Sequence, residues 1–327
     1  MTNVDEPTHL DKARTRDLKF VADAVKLQEH SAAERDELGF SASLWAQISL
    51  PYNEPTMKGP DGKPLVDADG NKVAPQWWNR RNGAIDMTLR PAIIRDSNGV
   101  QIPRYPYGVI PRYLMTWMTT EAVRTQSPTL SMGKNLGAFM DKLGLISSGG
   151  KNGSITRLRD QAKRLFLSNI TVQQTNVTGD VVSDAGINWT FARDYQLFFS
   201  NRDPEGEPLW ESTVTLSDQF FESIMGAPIP VDLGALGTLS GSPMKIDIYL
   251  WLAARAWRVK KPTLISWELL ARQFGNDTGE LKKFRQTFKR NFAYAHAVYP
   301  AANASITPEG VELRKSAPAI PFKKALH

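Results

Sequence analysis

Two stretches of the chain carry apolar residues at helical spacing, and each opens a similar series of elements. Ile110, Tyr113, Leu114, Trp117 and Met118 recur at i, i+3, i+4, i+7 and i+8, which predicts an amphipathic helix from Tyr107 to about Arg124. Ile246, Tyr249, Leu250, Leu252, Ala253 and Trp257 line a second such helix. Pro-Thr-Leu follows each time, at 128–130 and at 262–264, as a short extended link. A further helix is then expected, with Leu136, Phe139, Met140 and Leu143 in one copy, capped by Ser131 and stopped by Gly144. Its counterpart carries Leu269, Leu270 and Phe274 and ends at Gly275. The glycine-rich turn 147–153 leads to Ser154, the expected N-cap of a third helix.

That third helix occurs twice. Residues 153–166 lie without a gap on residues 279–292: glycine, arginine, Lys-Arg and phenylalanine recur in register, and three apolar positions match in kind. The offset between copies is 134 residues at Pro-Thr-Leu (128 to 262) and 126 at the third helix (153 to 279), so an indel falls in the intervening turn, where indels are tolerated. Hairpins are expected after both. The first is Ile170–Gln174 with Ile187–Phe191 about a Thr-Gly-Asp turn, continued by Tyr195–Phe199; the second is Ala304–Leu313. Helix, link, helix, turn, basic helix, hairpin is the order of a winged helix-turn-helix.

The rest is less patterned. Residues 1 to about 38 suggest a solvated helix with a weak stripe of Leu18, Val21 and Val25 beside Phe20 and Leu27, either a frayed arm or a self-association element. Strands are expected at Leu44–Leu50 and Ala84–Leu89, flanking an exposed turn region with two Asp-Gly signals. That region lacks the ligand spacing of a calcium loop. A proline-rich linker is expected near Gly226–Pro230. The resulting division is a helical arm (1–39), a first winged-helix domain (40–225) and a second (226–327), in an α+β protein.

Charge gives the pattern a direction. The 327 residues carry a formal charge of +6 and no cysteine, with a pI near 9.4. The balance favours a polyanionic partner, and the lack of cysteine excludes disulfides and thiolate chemistry and fits a reducing cytoplasm. The amino terminus has no signal-peptide core, and no run approaches the roughly 20 apolar residues of a membrane span. His9, His30, His296 and His327 stand at no metal-ligand spacing, and 149–154 fails the Walker frame. No catalytic residue, metal site or cofactor is expected.

The candidate chemistry lies on the two basic helices. Leu281, Phe284, Phe288 and Phe292 share one face, with Lys282, Lys283, Lys289 and Arg290 turned away and Arg285 flanking. In the other, Ile155, Leu158, Ala162 and Phe166 oppose Arg157, Arg159, Lys163 and Arg164. Arginine can fork onto guanine O6 and N7 while lysine mainly neutralises phosphate. Thr156, Gln161, Gln286 and Thr287 are polar candidates beside them. Taken singly, each helix reads as a solvated surface; recurrence of the pattern in the same place favours a DNA-reading face. Of the nine tryptophans, Trp117, Trp251 and Trp257 belong to core stripes, while Trp77 and Trp78, beside Arg80 and Arg81, are candidates for a DNA or partner contact.

Pro230-Val231-Asp232-Leu233 with Ala235-Leu236, then Ser242-Pro243, Asp247–Ala253 and Lys260–Trp267, resemble the plasmid-encoded RepA family of replication initiators, in the branch of IncW-type plasmids. The resemblance spans roughly 225–315, and 105–200 is similar, through Met132-Gly133, Leu136 and Gly149-Gly150. It implies a tandem winged-helix protein that binds directly repeated double-stranded sites (iterons) at a plasmid origin. It also implies opening of the adjacent DNA, recruitment of the host initiator and replicative helicase, and self-repression as a homodimer. Two alternatives stay open: a repressor acting on an inverted repeat, and a winged-helix protein interaction module.

Overall fold

The structure, a computed structural model, describes residues 9–68, 70–95, 99–132, 138, 140–141, 153–178, 181–197, 212–275 and 280–321. Along the chain run α1 (His9–Glu29), β1 (Leu38–Ala42), β2 (Trp78–Asn82), β3 (Ile85–Arg90), β4 (Ala92–Arg95), β5 (Gln101–Arg104) and α2 (Val109–Thr125). Then come β6 (Thr129–Ser131), α3 (Ser154–Phe166), β7 (Asn169–Thr178), β8 (Val181–Thr190), β9 (Ala192–Gln196) and β10 (Thr213–Leu216). The remainder is α4 (Asp218–Gly226), β11 (Pro228–Asp232), α5 (Leu233–Thr238), α6 (Pro243–Arg255), β12 (Thr263–Ser266), α7 (Trp267–Phe274), α8 (Leu281–Val298), β13 (Ala304–Ile306) and β14 (Gly310–Leu313). The protein is α+β, and no helix among the described residues is long and apolar enough to cross a membrane.

In the C-terminal part the three-helix order ends in a small antiparallel sheet, β12-β14-β13. The strand between the first two helices pairs with the last strand of the hairpin, Thr263 opposite Leu313 and Ser266 opposite Gly310. The same arrangement recurs upstream as β6-β10-β9, so the counterpart of β13 and β14 is β9 and β10. The hairpin expected after the first basic helix does form, as β7 and β8, but it joins β2 and β3 in a separate four-stranded sheet. Phe191 is the corner between β8 and β9 and is buried against Trp45 and Phe220. The expected continuation of β8 through Tyr195 is thus a strand of another sheet, and Phe198 and Phe199 lie outside the described residues.

Several boundaries differ from expectation for identifiable reasons. The strand expected at 44–50 lies earlier, at β1, because β11 supplies its partner there, Phe40 facing Pro230. Residues 43–46 form a 3-10 turn instead, and Trp45, Ala46, Ile48 and Leu50 are all buried, which is interior packing and not the alternation of a half-exposed strand. Pro228 and Pro230 therefore sit in a paired strand, where a linker was expected. A two-stranded sheet has only edge strands, which tolerate proline. Ser131 ends β6 and does not cap a helix. Between Met132 and Gly153 the described residues are Ala138, Met140 and Asp141, all helical, while Leu136, Phe139, Leu143 and the 147–152 turn lie outside the described residues. Gly153, not Ser154, is the N-cap of α3.

α1 packs on α5 and α8, and it does so with Phe20, Ala24 and Leu27. The stripe Leu18, Val21 and Val25 points the other way and is more than half exposed. Behind these surfaces the buried side chains form one continuous core, in which α2 and α6 are central. Trp117 and Trp251 lie fully inside it, and the matched tyrosines Tyr113 and Tyr249 satisfy their hydroxyls on the β11–α5 segment. Tyr113 donates to the Leu236 carbonyl at 2.9 Å, and Tyr249 accepts from the Asp232 N–H at 2.9 Å.

Candidate nucleic-acid interface

α8 forms because its apolar residues fall at helical spacing and find partners. Phe284, Phe288 and Phe292 are buried, with Phe288 packed edge-on against Trp267 and Phe274 at 5.9 and 5.4 Å between ring centres. The opposite face exposes Lys282, Lys283, Gln286, Lys289 and Arg290, and the helix contains no carboxylate. Two lysines in the first turn stand against the helix dipole, whose amino end is already positive. A surface helix gains nothing from that arrangement, whereas a helix facing phosphate does.

Trp267, the first residue of α7, organises this face. Its indole N–H donates to the Pro308 carbonyl at 2.9 Å and its backbone N–H to the Glu309 carbonyl at 3.1 Å, tying the β13–β14 turn to the helices. The Arg285 guanidinium and the Lys289 ammonium lie 5.7 and 5.6 Å from its ring. Arg285 is half-buried and also 3.7 Å from Glu268, so it is more constrained than its exposed neighbours. Thr287 is half-buried as periodicity required. Sequence reasoning missed the role of Trp267; the signal available was an aromatic residue directly after a capping serine, Ser266, which accepts from the Leu269 N–H.

α3 presents less charge than its sequence suggested. Arg157 is exposed, and Thr156, Arg159 and Lys163 are half-exposed. Arg164 is a correction: it is buried, paired with Glu54 at 2.6 Å and Asp160 at 2.8 Å, and donates to the Tyr105 carbonyl. Gln161 is buried too and accepts from the Tyr107 N–H at 3.0 Å. On an isolated helix both residues fall away from the Ile155–Phe166 stripe. In the fold the chain around Glu54 and the segment entering α2 cover that side, so α3 is packed on two sides. The other aromatic candidates divide: Trp77 is exposed, while Trp78 is buried beneath the Arg80 guanidinium at 4.8 Å. Among the described residues no cluster of side chains could hold a metal ion.

The family model for plasmid-encoded RepA protein matches residues 105–269, half of the chain. The chain belongs to the plasmid-encoded RepA family. The match runs from the approach to α2 into the first turn of α7; it contains α3 and leaves α8 outside. Two solved structures of domains 2 and 3 of RctB are similar to the chain. The selenomethionine form has a TM-score of 0.47 at 11% identity and covers 81% of this chain and 85% of that one. The other has a TM-score of 0.43 at 7% identity, covering 82% and 93%. No curated protein matches the sequence.

Proposed function

We propose that this RepA-family protein is a non-catalytic replication initiator that binds double-stranded DNA through two winged-helix units. The units are the elements from α2 to β10 and from α6 to β14, with α3 and α8 as their reading helices. The observation that carries the reading is α8: a helix with no carboxylate of its own, exposing Lys282, Lys283, Lys289 and Arg290, backed by a phenylalanine stripe and braced by the adjacent hairpin through Trp267. Lys282, Lys283 and Lys289 neutralise phosphate, and Arg285, Gln286 and Arg290 reach base edges or the backbone. On α3 the same work falls to Thr156, Arg157, Arg159 and Lys163, without Arg164. The two helices enter successive major grooves about one helical turn (~34 Å) apart. Direct repeats at a plasmid origin are the target, with opening of nearby DNA and recruitment of the host initiator and helicase in the cytoplasm as the consequence.

A nuclease footprint on the DNA flanking the protein's own gene tests this. Protection of several direct repeats, each about two turns long, is expected. Protection of a single inverted repeat over the promoter would make the protein a repressor instead, and no protection at moderate salt would leave an interaction module.

A further inference from the structure

Two reading helices specify a site only if something fixes their separation, and a run of polar side chains, buried except for the partly buried Tyr52, links α2 to α7. Asp247 of α6 receives both prongs of Arg112 of α2, Oδ1 from Nε at 2.7 Å and Oδ2 from Nη2 at 2.8 Å, with both side chains almost wholly buried. Arg112 also donates to the Leu50 carbonyl at 2.8 Å. Its guanidinium lies 5.2 Å from the ring of Tyr52, and the guanidinium of Arg80 lies 5.5 Å from that ring. Arg80, buried on β2, then donates to the Gly275 carbonyl at 2.5 Å and to the Gln273 carbonyl at 3.3 Å. The Gln273 side chain answers by donating to the Ala46 carbonyl at 3.0 Å.

The end point matters. Gln273 and Gly275 are the carboxyl end of α7, whose terminal carbonyls have no partner within the helix. Phe274, between them, packs on Phe288 of α8 with ring centres 5.4 Å apart, so a displacement of this end of α7 is passed to α8. Gly275 is not exchangeable: its φ is ordinary, but a Cβ would stand 1.8 Å from the Ala271 carbonyl oxygen. A hydrophobic contact of similar area would hold the two units together with little angular preference. Forked guanidinium bonds to carbonyls and to a carboxylate fix direction as well as distance. Burial of four polar residues is an inefficient route to stability, and registry is the best-attested use of such groups.

We propose that Asp247, Arg112, Tyr52 and Arg80 act as a positioning strut that sets α8 relative to α3, so that the protein accepts only one spacing and helical phase between the two halves of its DNA site. Arg80 and Tyr52 are positioning residues: they touch no DNA and act through the end of α7. The inference rests on the two-unit DNA reading given above.

The test uses the full chain and duplexes carrying its footprinted site, with one to five base pairs inserted between the two protected halves. Affinity is measured for each and divided by that for the native spacing, a ratio that does not depend on the active fraction of a preparation. Wild type is expected to lose at least 100-fold on an insertion of two or three base pairs. Arg80→Met, and separately Tyr52→Leu, are expected to shrink that loss to tenfold or less, while Tyr52→Phe, which keeps the ring, behaves as wild type. If the variants weaken binding at every spacing by the same factor, the strut is merely structural and the proposal is overturned. A wild type indifferent to spacing overturns it as well. If no specific site exists at all, the DNA reading fails and this inference falls with it, an outcome distinct from the other two.

Discussion

Phe20 of α1 and Tyr294 of α8 meet edge to face with ring centres 4.6 Å apart, and this contact makes the amino-terminal helix part of the body and not a loose arm. Tyr294 donates its hydroxyl to Asp17 at 2.5 Å, and the Lys245 ammonium lies 3.2 Å from the centre of the same ring. Burial between the rings lowers the affinity of Lys245 for its proton. α1 thus reaches the carboxyl half of a helix whose amino half carries the exposed lysines. Replacing Phe20 with alanine removes the edge contact and part of the apolar cover, a loss of about 1–2 kcal/mol. Limited proteolysis is expected to cut within residues 9–29 several-fold faster in the variant, with the rest of the chain protected as before.

Arg164 and Arg157 are expected to separate folding from binding on α3. Arg164 holds Glu54 and Asp160 from a buried position. Its replacement by methionine is expected to cost about 1.5–3 kcal/mol, the range for hydrogen bonds to charged groups, seen as a lower denaturant midpoint. Affinity per folded molecule for DNA should hold. Arg157→Gln, at an exposed position, should do the reverse: unchanged stability and weakened DNA binding.

Lys289 and Arg290 are exposed neighbours expected to differ in kind. Lys289→Gln should weaken binding to every duplex alike and reduce the slope of log affinity against log salt by about 1. Arg290→Gln should cost about 1–3 kcal/mol on the native site and relax preference at a subset of its bases if it reads a base edge. Titrations on native and scrambled duplexes at several salt concentrations distinguish them. Equal slopes for wild type and Lys289→Gln would remove Lys289 from the phosphate contacts.

Alkali should unfold the protein through its tyrosines. Burial pushes the Tyr299 phenol up to about 12, and it raises Tyr105, Tyr113 and Tyr249 as well. Because the folded state binds these protons more tightly than the unfolded chain, whose tyrosines titrate near 10, the stabilisation is complete below about pH 10. It is lost as pH rises from there through the folded values. Phenolate absorbance from the buried tyrosines should therefore appear together with loss of helical circular dichroism above about pH 10, and not ahead of it.

Much of the second unit was legible because its elements follow local periodicity: α6, β12, α7, α8 and the β13–β14 hairpin fall within a few residues of where the apolar pattern put them. Gly275 stops α7 as expected, although for lack of space beside Ala271 and not for a left-handed backbone. The first unit was less legible, since long-range partners decide it. Nothing near Ile170 reveals that β3 will pair with it, and a helical wheel of α3 cannot know that Glu54, more than 100 residues away, will draw Arg164 inward. The same holds for α1, whose inward face is chosen by Tyr294 and Lys245. Arg80 beside Trp78 resembled a binding patch, and its partners are carbonyls of α7.

The absence of cysteine from the chain allows one measurement on the central claim that α3 and α8 read a single DNA site together. Cysteine placed at Arg157 or at Gln286, one at a time, carries an iron chelate that cleaves the nearest DNA backbone. Two cleavage centres are expected on one face of the duplex, one from each position, about one helical turn (~34 Å) apart within every bound repeat. Cleavage from Gln286 alone, or from both positions at the same base pairs, would contradict the account.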